Sequence, residues 1–289
     1  MDDSVFSRQN NHEILLLLAA QSDQYSIAKK LQYPAFYLSI LGTIIFSVLT
    51  SLYDVELLRT LSSFMAIVIF VLTSFLERRS KNYIEQAARI QQTIDVHLFR
   101  LPDKSHTLTR MEIREIVANY TSMDLASYMN WYSDYSGTDY PNQVFFSQKE
   151  NIRWDKKLKK KYLILIIVLA LLFPTLLVLH AIFFNKTASS FFAVASWLFP
   201  LEQFLVIYWI GLNDNISYLD NVNQFAREVE KDITLRSAHE IECKLCGLQT
   251  YIYEYRKRAI LIPNWFYQKH KKEIQDYEDR VAEQTSQQE

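Results

Sequence analysis

Glycine, proline and cysteine are scarce in this sequence of 289 residues, which contains 4 glycines, 6 prolines and 2 cysteines. The glycines lie far apart in the chain, so neither the G-x-G-x-x-G turn of a Rossmann fold nor a P-loop can be formed. So few glycines and prolines also favour long helices over many short strands. Cys243 and Cys246 alone cannot provide the disulfide framework of a small secreted protein.

An excess of one charge is absent as well. Lys and Arg number 31 and Asp and Glu number 32, which gives a formal net charge of -1. This balance argues against a strongly basic binder, so we expect no DNA or RNA polymer as a partner. No serine–histidine–acid arrangement, four-ligand metal cluster or phosphate loop is evident. We therefore expect no enzymatic activity, no cofactor and no metal.

Long apolar runs are what the sequence does contain, and hydrophobic residues make up 49% of it. The first run holds 20 residues without a charge, about 30 Å of helix, which matches the hydrocarbon thickness of a bilayer. A soluble helix of that length would normally show a polar face. The sequence therefore predicts an all-α membrane protein with four transmembrane helices in a two-plus-two arrangement. The four runs are Pro34–Tyr53, Thr60–Leu76, Tyr162–Asn185 and Thr187–Asn213.

Basic residues orient the predicted spans. Only Arg59 lies between the first and second runs, and only Lys186 lies between the third and fourth. The other Lys and Arg residues fall on the opposite side, so the positive-inside rule places both termini in the cytoplasm. The apolar stretch Ile14–Ala20 is too short, and has too little basic charge before it, to suggest a cleaved signal peptide.

The remaining segments are predicted to form one helical cytosolic domain. This division gives an N-terminal helix (1–33), spans one and two (34–76), an insert (77–161), spans three and four (162–213) and C-terminal helices (214–289). The Ile14–Ala20 stretch is apolar around its whole circumference, so it needs burial against other helices or against the membrane surface.

Local signals mark where the cytosolic helices begin and end. Asn10 with Glu13, and Thr109 with Glu112, have the spacing of capping boxes. A loop is predicted over Asn130–Gln143, followed by a helix from about Val144 into the third span. The C-terminal segment is predicted as one long helix out of the fourth span, a break near Pro263 and a terminal helix.

Four stretches of the sequence are distinctive when taken together and in order. They are RQNNHEILLLLAAQSDQYSIAKKLQ (8–32), NWYSDYSG (130–137), SQKENIRWDKKLKKKY (147–162) and LQTYIYEYRKRAILIPNWFYQKHKKE (248–273). Together they resemble the SMODS-associated four-transmembrane effectors of bacterial anti-phage signalling. The resemblance covers nearly the whole chain and implies a multi-pass protein of the bacterial inner membrane. It also implies activation by a cyclic oligonucleotide, and membrane disruption or pore formation in response.

Such a ligand would offer phosphates to basic side chains and bases for stacking on aromatic rings. Clusters that mix aromatic and charged residues are therefore the ligand-binding candidates, and several of them sit on the predicted loop, where binding residues concentrate. The alternative is that the same aromatics form the cytosolic core and that the charges cap it. The candidates are Trp131, Tyr132, Asp134, Tyr135, Arg153, Trp154, Tyr253, Arg256, Trp265 and Tyr267.

Two residues inside the apolar runs are candidates for lining a pore. Glu202 is the only acidic residue in the four runs, and a charge in hydrocarbon usually faces a pore or a partner. In a homo-oligomer it would form a ring of carboxylates that favours cations. Alternatively, the fourth helix begins at Pro200 and Glu202 lies at the outer membrane edge. His180, in the third run with Pro174, suits either a protonation switch or a packed position.

His239, Cys243 and Cys246 share one face of a predicted helix. They suggest zinc, but a closed structural site needs a fourth ligand and none is evident nearby. A redox role and an ordinary helix face are the other interpretations.

We interpret the protein as an inner-membrane effector that oligomerises and permeabilises the membrane when a cyclic oligonucleotide appears. The alternative is a membrane-anchored scaffold that recruits a cytosolic partner without conducting ions. A weaker third possibility is a redox sensor through its two cysteines, which retention of activity after replacement of both by Ser would remove.

The predicted topology can be tested by cysteine accessibility. With Cys243 and Cys246 replaced by Ser, an impermeant thiol reagent added to intact cells should label a cysteine placed at Asp54 or Lys186, because both lie outside. A cysteine placed at Gly137 should stay unlabelled, and its labelling would overturn the topology.

Overall fold

The computed structural model describes residues 4–52, 56–120, 124–183, 188–233 and 237–287. Every regular element within these ranges is helical, as the apolar periodicity and the scarcity of glycine predict. A short 3₁₀ turn spans Ala126–Tyr128. The α-helices are α1 (Val5–Arg8), α2 (His12–Leu52), α3 (Glu56–Leu98), α4 (Arg110–Tyr120), α5 (Tyr140–Phe183), α6 (Ala188–Ile233), α7 (Ala238–Lys257) and α8 (Asn264–Ser286).

Four of the helices are much longer than the others. Helices α2, α3, α5 and α6 hold 41, 43, 44 and 46 residues, respectively, and each contains most of one apolar run. Helix α5 carries polar residues directly into the third run, as predicted, although it begins four residues earlier than Val144. By length and composition, α5 is the one helix in the described part of the chain that qualifies as able to cross a membrane.

The chain divides into two compact units. The first comprises Met1–Ser26, Tyr83–Lys160 and Asn215–Glu289, and the second comprises Ile27–Asn82 and Lys161–Asp214. All four apolar runs therefore fall in the second unit, and the polar segments of the chain fall mainly in the first.

The second unit has an apolar surface. Among the described residues, all but six of the exposed large hydrophobic side chains belong to it, and Phe70 and Phe183 are 69% and 79% exposed. Two polar contacts between its helices involve described residues: the Gln32 amide donates to the Tyr208 hydroxyl at 3.1 Å, and the Ser80 hydroxyl donates to the Ala28 carbonyl at 2.9 Å. An apolar surface of this extent is typical of contact with lipid or with other subunits.

The first unit has a buried core of its own. The start of α2 is packed inside it: Leu16 and Leu17 are fully buried, and neighbouring residues contact Ile90 and Ile94 of α3. The Ile14–Ala20 stretch is thus covered by other helices of this unit. A second cluster joins the end of α3, the start of α5, the end of α6 and α7 around Phe99, and it contains the buried ring of Tyr132.

The helix boundaries confirm one predicted capping box and correct another. Thr109 and Glu112 cap α4, with the Thr109 amide donating to the Glu112 carboxylate at 2.7 Å. At the start of α2, the cap is Asn11 rather than Asn10, because the Glu13 amide donates to Asn11 Oδ1 at 3.0 Å. Asn10 instead exchanges hydrogen bonds with Asn130.

One helix break was not predicted. The long helix out of the fourth run ends at Ile233, and α7 begins at Ala238. Ser237 and Glu240 form a capping box there, with the Ser237 hydroxyl donating to the Glu240 carboxylate at 2.9 Å. The S-x-x-E spacing of these two residues could have predicted the start of a new helix here.

The loop before α5 packs against the end of α8. A Cβ atom added at Gly137 would lie 2.9 Å from the Cβ of Ser286, closer than real side chains approach. Ser136 is exposed in the same loop and is therefore a better position than Gly137 for the cysteine of the topology test.

Candidate ligand-binding site

The ten predicted ligand-binding residues lie in the first unit, but they do not form a single cluster. Tyr132 and Arg256 meet in its core, whereas Tyr135 and Arg153 meet between α5 and α8. Trp154 and Tyr267 pack with their rings tilted and the ring centroids 5.2 Å apart. The others lie separately: Trp131 is half-buried, Tyr253 is buried, and Asp134 and Trp265 are exposed.

Asp95 is the centre of the polar network in the core. This carboxylate near the end of α3 is 1% exposed, and it accepts from Tyr132 Oη at 2.7 Å and from Arg256 Nη1 at 2.6 Å. Burial, reinforced by the charge of Asp95, raises the pKa of Tyr132. The phenol therefore keeps its proton and donates a hydrogen bond to the carboxylate.

Glutamine side chains extend this network to other segments. Gln249 Nε2 lies 2.9 Å from Asp95 Oδ2, and Gln148 Nε2 donates to Gln249 Oε1 at 3.0 Å. The backbone of Tyr132 exchanges two hydrogen bonds with the Gln9 amide, at 2.7 and 3.1 Å. The network thus joins the N-terminus, α3, the loop, α5 and α7.

Tyr132 and Arg256 are closed off from solvent in this conformation, with 2% and 5% exposure. One nitrogen of the guanidinium, Nη2 of Arg256, is buried and has no hydrogen-bond acceptor among the described residues. A ligand could reach these two side chains only after the core opens.

A second polar cluster lies between α5 and α8, where Glu278 is fully buried. Its carboxylate accepts from Arg153 Nε at 2.8 Å and from Lys157 Nζ at 3.2 Å. Arg153 also donates to the hydroxyl of Tyr135 at 3.3 Å. Two cationic side chains of α5 therefore hold one acidic side chain of α8.

Glu150 lies beside this cluster and is 3% exposed. Ser133 Oγ lies 3.1 Å from Glu150 Oε1 and 2.9 Å from Asp279 Oδ1, so a single hydroxyl faces two carboxyl groups. Burial, with the nearby charge of Glu278, raises the pKa of Glu150 to about 8. A protonated Glu150 supplies the second hydrogen atom that this arrangement needs.

Sequence reasoning missed the acidic partners of these clusters, namely Asp95, Glu150 and Glu278. The sequence could have identified Asp95 as a buried carboxylate, because it is the only charged residue in the stretch QQTIDV, which lies on a helix and is otherwise apolar or neutral. Glu150 and Glu278 have charged neighbours in sequence, and nothing in their local pattern separates them from exposed residues.

The helix face with His239 and Cys243 brings these two side chains near each other, with Nε2 and Sγ 3.9 Å apart. Cys243 is an exposed free thiol, and Cys246 is a half-buried one. Across the residues that the structure describes, no group of three or more potential ligands is placed to hold a metal ion.

Replacing Arg256 tests the buried network. Arg256→Ala leaves the Asp95 carboxylate buried without its cationic partner, and breaking such a pair costs about 3–5 kcal/mol. The control is Arg258→Ala, because Arg258 is 74% exposed and pairs with Glu254 at the surface. Thermal unfolding of the detergent-solubilised variants should separate the two substitutions, and equal stability would contradict the role given to Asp95.

The raised pKa of Glu150 predicts a dependence of stability on pH. The folded state holds this proton between the ordinary pKa of a glutamic acid and about 8, so its contribution to stability is complete at low pH and falls as pH rises through that window. The slope is at most about 1.4 kcal/mol per pH unit.

Glu150→Gln should remove this part of the slope in unfolding measurements from about pH 5 to about pH 9, a range that covers most of the pH window in which Glu150 affects stability. Glu230→Gln is the control, since Glu230 is an exposed partner of Lys149. Identical pH profiles for the Glu150→Gln variant and the native protein would show that Glu150 is ionised in the folded state.

Comparison with known proteins gives the chain a family. Residues 3–287 match the model of the SMODS-associating 4TM effector domain. A curated protein of Bacillus cereus strain VD146, named "Probable CBASS effector molecule", is 24% identical over an alignment of 199 residues that covers 66% of this chain and 66% of that protein. The chain therefore spans about two thirds of the length of this relative. No solved structure matches. Because the family model covers nearly all of its residues, the chain belongs to the family of SMODS-associating four-transmembrane effector domains.

Proposed function

We propose that this protein is a non-enzymatic effector of the bacterial inner membrane that permeabilises the bilayer when a cyclic oligonucleotide binds. Family membership and the name of the Bacillus cereus relative support a membrane effector in anti-phage signalling. In this proposal the second unit lies in the membrane, both termini are cytoplasmic, and several copies of the chain assemble.

The observation that carries the proposal is that each of the four long helices lies partly in the first unit and partly in the second, and that the two units differ in polarity. The second unit exposes apolar side chains, as a protein in lipid does, and the first unit buries polar networks, as a water-soluble domain can. Helix α5 runs without a break from Tyr140 to Phe183. In this proposal, a change at residues 140–160 reaches the third apolar run through this continuous helix.

We place the ligand at the contact between α5 and α8. Arg153 and Lys157 supply two cations, and the paired rings of Trp154 and Tyr267 lie on the same pair of helices. A phosphate group would compete with the Glu278 carboxylate for the two cations. Binding would then leave Glu278 without its partners and loosen α8 from α5.

Glu202 is the proposed pore residue. The fourth long helix begins at Ala188 rather than at Pro200. Glu202 is 14 residues into α6, about 21 Å from its start, and hence well inside the apolar run. Its Oε1 atom is buried and has no hydrogen-bond partner among the described residues. The side chain of His180, the other candidate, lies outside the described part of the structure.

Ligand binding can be tested with two neighbouring lysines. Lys157→Gln removes one cation from the proposed site while Arg153 still holds Glu278. Losing one charge-assisted contact should weaken binding of a cyclic oligonucleotide roughly 10- to 150-fold in calorimetry. Lys156→Gln is the control, because Lys156 pairs with Asp220 at the surface. Equal affinities for both variants would move the site elsewhere.

Pore formation is tested in liposomes and planar bilayers. A pore predicts ion leakage on addition of the ligand, whereas a scaffold that recruits a partner predicts none. Glu202→Gln keeps the side-chain shape and removes the charge, so cation-over-anion selectivity should fall while ligand affinity is unchanged. A reversal potential at low salt that does not move in Glu202→Gln would contradict a ring of carboxylates.

A further inference from the structure

The first half of α8 presents an aromatic ring and three lysines to solvent. Trp265 is 60% exposed, and Lys269, Lys271 and Lys272 are all exposed. None of the three lysines forms an ion pair with the residues that the structure describes. Trp265 was predicted as a ligand contact, but it lies apart from the Arg153 and Lys157 cluster.

The exposed residues fall on one side of the helix. Trp265, Gln268, Lys269 and Lys272 follow the spacing i, i+3, i+4 and i+7, which gives a common face. Tyr267, on another side, packs against Trp154. Contact with α5 therefore leaves the face containing Trp265 uncovered.

Charge is divided along α8. Residues 264–272 contain three lysines and no Asp or Glu, whereas residues 273–286 contain five acidic residues and a single arginine. The end with Trp265 is therefore basic and the far end is acidic.

Hydrogen bonds fix the basic end beside residues that flank the apolar runs. The Ile260 carbonyl accepts from Lys159 Nζ at 2.9 Å, and its amide donates to Asn215 Oδ1 at 2.8 Å. Lys159 precedes the third run by three residues, and Asn215 follows the fourth by two. Three residues of helix rise only about 4.5 Å, so the chain just before α8 is bonded to residues that lie, along their own helices, within about one turn of the start of the third run and the end of the fourth.

We propose that the basic half of α8, with Trp265, Gln268, Lys269 and Lys272, docks on the anionic headgroups of the bilayer. Tryptophan favours the membrane–water interface, and lysines near the surface are attracted to anionic lipids. The proposal rests on the membrane location that the family implies. It requires neither pore opening nor ligand binding.

The depth of a spin label tests this docking in the full-length protein. With Cys243 and Cys246 replaced by Ser, a nitroxide is attached at Gln268→Cys, and the protein is reconstituted in phosphatidylglycerol-containing bilayers. We expect collision with lipid-soluble oxygen and protection from a water-soluble nickel complex. The matched control is Gln284→Cys, which is exposed and lies about 24 Å further along the same helix; its label should be accessible to the nickel complex.

Charge is tested in the same preparation. Replacing Lys269, Lys271 and Lys272 by Gln, or using phosphatidylcholine alone, should lower the ratio of docked to undocked label, by about fivefold for each lysine neutralised. A label at position 268 that is as accessible to nickel as the label at position 284 would overturn the proposal. So would a Trp265→Ala variant that loses cyclic oligonucleotide affinity while the label of the Gln268→Cys protein is exposed to water, because Trp265 would then be a ligand contact.

Discussion

Asp95 is a carboxylate buried in the core, and the first unit is organised around it. It accepts hydrogen bonds from Tyr132 of the loop and from Gln249 and Arg256 of α7. A buried charge of this kind costs free energy unless it is paired and hydrogen-bonded, and replacing such a pair by apolar residues is often neutral or stabilising. We therefore attribute its presence to specificity: only one arrangement of α3, α7 and the loop satisfies the carboxylate.

The contact between α5 and α8 contrasts with this closed network. Glu278 is held by two cations that are themselves only partly buried, and Glu150 nearby carries a proton up to about pH 8. A competing anion can approach Arg153 and Lys157 without opening the core around Asp95. In our account the core holds the helices together, and the contact with α8 responds to the ligand.

The helical class and the long helices could be predicted from sequence, because uninterrupted apolar runs and scarce glycine act locally. The continuity of α5 could be predicted because no glycine or proline interrupts the sequence between Val144 and the third run. The division between α6 and α7 was missed, although Ser237 and Glu240 have capping-box spacing, because the apolar pattern on each side suggested one helix. The ligand site remains a proposal, for which residue types singled out Arg153 and Arg256 as candidates. Their buried acidic partners were not predicted, because they are defined by tertiary contacts that local sequence does not contain.

Hydrogen exchange over α8 tests the central claim most directly. If a cyclic oligonucleotide replaces Glu278 at Arg153 and Lys157, the amides around Glu278 should exchange faster when the ligand is added, while those of α7 around Arg256 stay protected. Slower exchange, or no change, around Glu278 with the ligand bound would contradict the account, because α8 would then be held more tightly or left untouched by the signal.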